Sequence, residues 1–101
     1  MQIAVIGDYD SQEYLEFLNK VKTAFPEERV RDLSVNRGSI LNTRKYRQLE
    51  IESSHQVIIS PYWKNNIEAR WDVPYAQETG KECFIYRDGR FMPFPEYAPE
   101  L

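Results

Sequence analysis

Glu68 and Asp72 stand one helical turn apart, and with Tyr62, Trp63 and Trp71 they gather two carboxylates and three aromatic rings between residues 62 and 72. A carboxylate can stabilise developing positive charge or attack an electrophilic carbon, and aromatic faces can stack a planar ligand. Packing alone accounts poorly for that mixture. The residues lie in a longer stretch, Val57 to Tyr86, that opens on the apolar run Val57-Ile58-Ile59, breaks at Ser60-Pro61 and closes on a second run, Cys83 to Tyr86. This order reads as strand, loop, helix, strand.

The remaining elements must position that segment. Gln2 to Ile6 is a largely β-branched run that is continuous rather than alternating, which suits a strand covered on both faces, and it stops at Gly7. Asp10 or Ser11 can cap a helix carrying Tyr14, Leu18, Val21 and Phe25 on one face and ending at Pro26. Arg29 to Val35 alternates in part and predicts a shorter strand at or near an edge. Asn36 to Ser39 is a turn cluster, and Asn42 or Thr43 can cap a second helix reaching about Ser54, with Tyr46, Leu49 and Ser53 on one face. Gln56 to Ser60 is the third strand, and Asn65 or Asn66 can cap a helix starting near Ile67. Pro74 interrupts it, so the helix either kinks there or restarts near Asp72 and stops at Gly80; one broken element is preferred. Cys83 to Tyr86 is the fourth strand, Asp88-Gly89 signals a hairpin, and Arg90 to Phe94 returns as a short antiparallel edge. Residues 95–101, with Pro95 and Pro99, read as an extended tail beyond a single domain of residues 1–94.

Alternating strands and helices with right-handed crossovers predict an α/β fold: a small, open, mainly parallel sheet of order 2-1-3-4, flavodoxin-like, with helices on both faces. In that order a crevice opens beyond the carboxyl ends of strands one and three. Gly7, Asp8, Tyr9 and Asp10 form one wall, and Ser60, Tyr62 and Trp63 begin the other.

Composition narrows the partners. The 101 residues carry a formal charge of −3, with 42 % apolar and 14 % aromatic side chains, and the mean hydropathy is −0.65. This is the profile of a soluble globular domain without the basic concentration that tracks duplex nucleic acid. No run approaches the roughly 20 apolar residues of a membrane span, and the first residues form no leader pattern, so the cytoplasm is the expected compartment. One cysteine and one histidine predict neither a disulfide nor a structural metal, and no cofactor is expected. A Gly-rich phosphate loop and a Gly-x-Gly-x-x-Gly turn are both absent, and Ser60 stands where a receiver domain needs an aspartate.

Gly7-Asp8-Tyr9 resembles the Gly-x-(Tyr/Phe) that opens nucleoside 2-deoxyribosyltransferases and the related deoxynucleoside-monophosphate N-glycosidases. Ile51-Glu52-Ser53-Ser54-His55 and the strand after it resemble that family's second-helix exit, Ile-x-x-Ala-Asp. Counted back from Gly80-Lys81, which is similar to a family Gly-Lys-Pro, Ala76 falls on a small helix residue and Asp72 on the nucleophilic glutamate. Ser60, Trp63, Asn66 and Asp72 also fall at the spacing of the Ser-x-x-Tyr-x-x-Ser-x-Trp-Cys-x-x-Glu segment of TIR domains, again placing Asp72 on the catalytic residue. The resemblance spans Met1 to about Tyr86. Asp72 is one methylene shorter than the family residue, Ile67 to Asp72 replaces an Asp-x-Gly-Thr-x-x-Glu approach, and His55 stands at an aspartate position.

The resemblance implies binding of a small nucleoside or nucleotide, cleavage or transfer of its N-glycosidic bond, and a homodimer or higher homo-oligomer. Asp72 or Glu68 would serve the anomeric carbon, with Tyr9 positioning the carboxylate or bonding the sugar. Asp8 or Asp10 would contact ribose hydroxyls or the leaving base, and Tyr62 and Trp63 would stack the base. Plainer roles stand beside these: Asp72 or Asp10 as a helix cap, Glu68 as a solvated helix residue, Trp71 as core, Tyr75 as interface, His55 as surface and Cys83 as packing. The alternative function is a noncatalytic ligand-sensing or protein-interaction module of the same fold.

Overall fold

The computed structural model describes residues 1–34 and 40–94, and of residues 40–42 the backbone alone. Five strands, β1 (Gln2–Ile6), β2 (Arg29–Asp32), β3 (Gln56–Ile59), β4 (Glu82–Arg87) and β5 (Arg90–Pro93), form one sheet of order β2-β1-β3-β4-β5. All neighbours are parallel except β4 and β5. Three helices, α1 (Gln12–Ala24), α2 (Ile40–Glu52) and α3 (Ile67–Glu78), make the crossovers, and a 3₁₀ turn at Trp63–Asn65 precedes α3. The fold expected from the strand and helix pattern is the fold observed. No helix of the described residues is long and apolar enough to cross a membrane. The turn cluster at 36–39 and the tail at 95–101 lie outside the described residues.

Register fixes which side chains share a face. Ile6 pairs with Ile59 and Ile59 with Ile85, while Val5 pairs with Ile58 and Ile58 with Phe84. Paired residues project to the same side, so Ile6, Ile59 and Ile85 look one way and Val5, Ile58, Phe84 and Tyr86 the other. α1 covers the second face, where Phe17 meets Tyr86 edge to face at 5.7 Å and Phe25 meets Phe91 at 5.4 Å. The direction of travel reverses after β2, so right-handed crossovers put α2 and α3 on the opposite face, where they pack against each other.

Local chemistry explains the boundaries. The Ser11 hydroxyl accepts from the Tyr14 amide at 3.1 Å, so Ser11 rather than Asp10 caps α1. The Asn66 side chain accepts from the Ala69 amide at 2.9 Å and starts α3. α3 then runs unbroken to Glu78 with Pro74 inside it, which corrects the expected break. Asp72 therefore lies within a helix and caps nothing. α3 ends on a Schellman arrangement: Gly80 at φ +76° donates to the Gln77 carbonyl and Lys81 to the Ala76 carbonyl. Asp88 and Gly89, both at positive φ, make the tight β4–β5 turn.

α2 departs most from expectation. It begins at Ile40, so Asn42 and Thr43 lie inside it rather than at its cap. Its inward stripe is Thr43, Arg47 and Ile51, continued by Ser54, whereas Leu49 is 53 % exposed. The expected stripe of Tyr46, Leu49 and Ser53 followed apolarity, and an arginine occupies the inward position instead.

Candidate functional site

The inward stripe of α3 is Glu68, Ala69, Asp72, Val73 and Ala76. Small residues at 69 and 76 let the helix lie close, and the two carboxylates of the same stripe are carried inside with them. Asp72 is 1 % exposed and Arg47, reaching in from α2, is fully buried. Charged groups this deep persist only when paired and hydrogen-bonded.

The pairing is specific. The Tyr9 hydroxyl, from the β1–α1 loop, donates to Asp72 Oδ2 at 2.7 Å. Arg47 Nε donates to the same oxygen at 2.6 Å, and Arg47 Nη1 lies 3.4 Å from Glu68 Oε2. The guanidinium sits 5.4 Å from the Tyr9 ring centroid, within cation–π range. Tyr9 also packs edge to face on Tyr14 at 5.1 Å. The Tyr14 hydroxyl in turn donates to the Val5 carbonyl at 2.9 Å and accepts from the Leu33 amide. The loop carrying Tyr9 is thereby tied to the ends of β1 and β2.

Electrostatics follow from burial. Desolvation raises the Asp72 carboxyl above its ordinary range, against the opposing pull of Tyr9 and Arg47, and Glu68 one turn away adds to the rise. Burial, then the neighbouring Asp72 charge, pushes the Tyr9 phenol well up, so it stays a donor at neutral pH. Cys83, inside β4, is raised to about 11 by burial alone and is a packing residue.

The other residues expected to line a crevice divide by the work they already do. Gly7 has no room for a side chain: a Cβ would fall 2.8 Å from Tyr14 Cδ1 and 2.9 Å from Ser60 Cβ. Ser60 is fully buried; its amide donates to the Ile6 carbonyl and its hydroxyl accepts from the Tyr62 amide, so it shapes the turn after β3. Asp8 Oδ2 accepts from the Ser11 hydroxyl at 2.6 Å, and its other carboxylate oxygen is buried without a hydrogen-bond partner among the described residues. Asp10 is exposed. Trp63, expected to stack a base, is half-buried, its ring edge-on to Phe94 at 6.0 Å. Tyr62 beside it is 50 % exposed. Trp71 is half-buried beneath the Arg44 guanidinium, 4.6 Å from its centroid. The Tyr75 hydroxyl donates to the Glu52 carboxylate. His55 is exposed, as expected of a surface residue.

Tyr9, Glu68 and Asp72, three residues singled out by their crevice position, therefore converge. Arg47 completes them and was absent from the sequence-derived set. Its signal was the four-residue spacing Thr43, Arg47, Ile51, which marks a helix face once arginine is admitted to it. Among the described residues no cluster of three His, Cys, Asp or Glu side chains could hold a metal ion.

Set against protein-family models, curated proteins and solved structures, the chain matches none. Fold and site define a class: a small doubly wound α/β domain with a buried Tyr-Asp-Arg-Glu cluster at the carboxyl edge of its sheet.

Proposed function

We propose that the chain binds a nucleoside or nucleotide between the β1–α1 loop and α3 and cleaves or transfers its N-glycosidic bond through Asp72. The observation that carries this reading is the hydrogen bond from Tyr9 to Asp72, which brings the two elements flanking the crevice onto one carboxylate. Loss of the base leaves positive charge on the anomeric carbon, and a desolvated carboxylate offsets such charge more strongly than one in water. In the covalent version a carboxylate lone pair forms the bond to the anomeric carbon while the bonding pair of the C–N bond leaves with the base, which takes a proton from solvent. Water, or an acceptor base in the transfer reaction, then displaces the carboxylate. Asp8 and Asp10 contact ribose hydroxyls or the leaving base. Glu68 supplies the second carboxylate. Tyr62 and the accessible part of Trp63 stack the base, and Gly7 and Ser60 hold the two walls together.

The test incubates the protein with deoxynucleosides, their monophosphates and NAD and measures released base, with Asp72→Ala and Glu68→Ala alongside. Release abolished by Asp72→Ala supports the reading, and release indifferent to both substitutions refutes the carboxylate assignment.

A second reading has one observation in its favour. Asp72 and Arg47 are as buried as the apolar core, as a purely structural ion pair would be, and a noncatalytic sensing or interaction module of this fold needs nothing more. Absence of both base release and a nucleotide-induced rise in Tm selects it. Self-association in a cytoplasmic setting belongs to the first reading, and sedimentation across a concentration series tests the association.

A further inference from the structure

The two short hydrogen bonds to Asp72 fall on one oxygen. Tyr9 and Arg47 Nε both donate to Oδ2, and Oδ1 accepts neither. A carboxylate gripped in this way is not symmetric: the bonded oxygen carries the stabilised share of the charge, and the other keeps its lone pairs for a ligand. Resting on the glycosidic reading above, we infer that Arg47 is a positioning residue that orients Asp72 through Oδ2 and presents Oδ1 as the oxygen that meets the anomeric carbon.

Three features of the geometry support this role. Arg47 is buried without exposure, so its charge acts through little screening solvent. Its planar fork spans both carboxylates of α3, with Nε on Asp72 and Nη1 toward Glu68, so it fixes the direction of the Asp72 side chain as well as its charge. The groups facing Asp72 come from three elements: Tyr9 from the β1–α1 loop, Arg47 from α2, and Glu68 from α3 itself. Of these Arg47 alone is cationic. It opposes both the burial of Asp72 and the repulsion from Glu68, which together favour the protonated, unreactive acid. The Tyr9 bond stabilises the ionised form but carries no charge of its own. The sequence-derived role of Tyr9 as the residue that positions the carboxylate is thus shared with a residue from a different helix.

The experiment measures kcat and KM for base release across pH 4 to 9 in the wild type, Arg47→Gln, Arg47→Lys and Tyr9→Phe, with folding of each verified by circular dichroism. Arg47→Gln is expected to lower kcat by roughly 10- to 100-fold, the scale of one lost charge-assisted bond, with KM little changed. The ascending limb of the profile, set by ionisation of Asp72, moves to higher pH. Arg47→Lys returns the limb toward the wild-type position, because charge is restored, but leaves kcat reduced, because the fork is not. An unmoved limb in Arg47→Gln overturns the inference; should that variant fail to fold, Arg47→Lys decides, and an unchanged kcat or a change confined to KM in it overturns the inference while leaving the glycosidic reading intact. Failure of the wild type to release base from any substrate overturns that reading and this inference with it.

Discussion

Arg47 Nε lies 2.6 Å from Asp72 Oδ2, joining a guanidinium of α2 to a carboxylate of α3 with neither residue more than 1 % exposed. The pair is an interaction between helices as much as a functional feature, because each charge would be intolerable in that position alone.

Removing one partner therefore costs more than the pair itself contributes. Asp72→Leu leaves Arg47 buried against the Tyr9 ring and the longer contact to Glu68, without its short ion pair, and the expected loss in urea denaturation is about 3–5 kcal/mol. Against total stabilities of about 5–15 kcal/mol for such domains this is a large share. The double variant Arg47→Met with Asp72→Leu removes both charges together and is expected to recover most of the loss. Equal losses in the single and double variants would show that the two residues are not energetically coupled.

Burial raises the Asp72 carboxyl, so the folded state holds that proton more tightly than the unfolded chain does. Its stabilising contribution is full below the unfolded value, about 3.9, and is lost as pH rises through the folded value. The stability difference between wild type and Asp72→Asn should therefore shift against the wild type as pH climbs from about 4 and level off once Asp72 is ionised. Paired denaturation curves at half-unit pH intervals measure it, and a flat difference contradicts it.

Gly7→Ala tests the close approach of the β1–α1 loop to Tyr14 and to the turn after β3. The added methyl would meet the Tyr14 ring at 2.8 Å and Ser60 Cβ at 2.9 Å. Tyr14 cannot swing aside without giving up its bonds to Val5 and Leu33. Overpacking of this kind costs about 1–3 kcal/mol, read as a lowered urea midpoint with an unchanged slope.

Cys83 reports on opening of the sheet. The residue is 7 % exposed and its thiol is raised to about 11, so at pH 8 it is held as the unreactive thiol. Labelling by a thiol reagent under native conditions should be slow and should accelerate in step with added urea, as for a group freed only by unfolding. Rapid labelling of the native protein at pH 8 would contradict its place in the core.

The fold was legible because it depends on the spacing of apolar runs, and Gln2 to Ile6, Val57 to Ile59 and Cys83 to Tyr86 are unambiguous runs. So were the meeting points of Tyr9 and Asp72, since strand order alone brings the end of β1 beside α3. Three features escaped. Pro74 suggested a break, but α3 contains it without interruption: Pro74 lies on the exposed side while Val73 and Ala76 hold the helix to the sheet. Trp63 suggested a free stacking surface, and Phe94, distant in sequence, covers part of it. Arg47 was invisible because apolarity assigns arginine to solvent, and what draws it inward is a pair of carboxylates on another helix.

The cluster also bears on how the chain folds. Tyr9 and Asp72 are 63 positions apart and Arg47 and Asp72 are 25 apart, so the charges meet only after the loop after β1, α2 and α3 have all come into place. Loop closure must precede the contacts that reward it. From these separations the ion pair is expected to form late, on the native side of the folding barrier. Substitutions at Arg47 or Asp72 should accelerate unfolding while leaving the refolding rate nearly unchanged, which makes this cluster a latch on the finished domain rather than a seed for it.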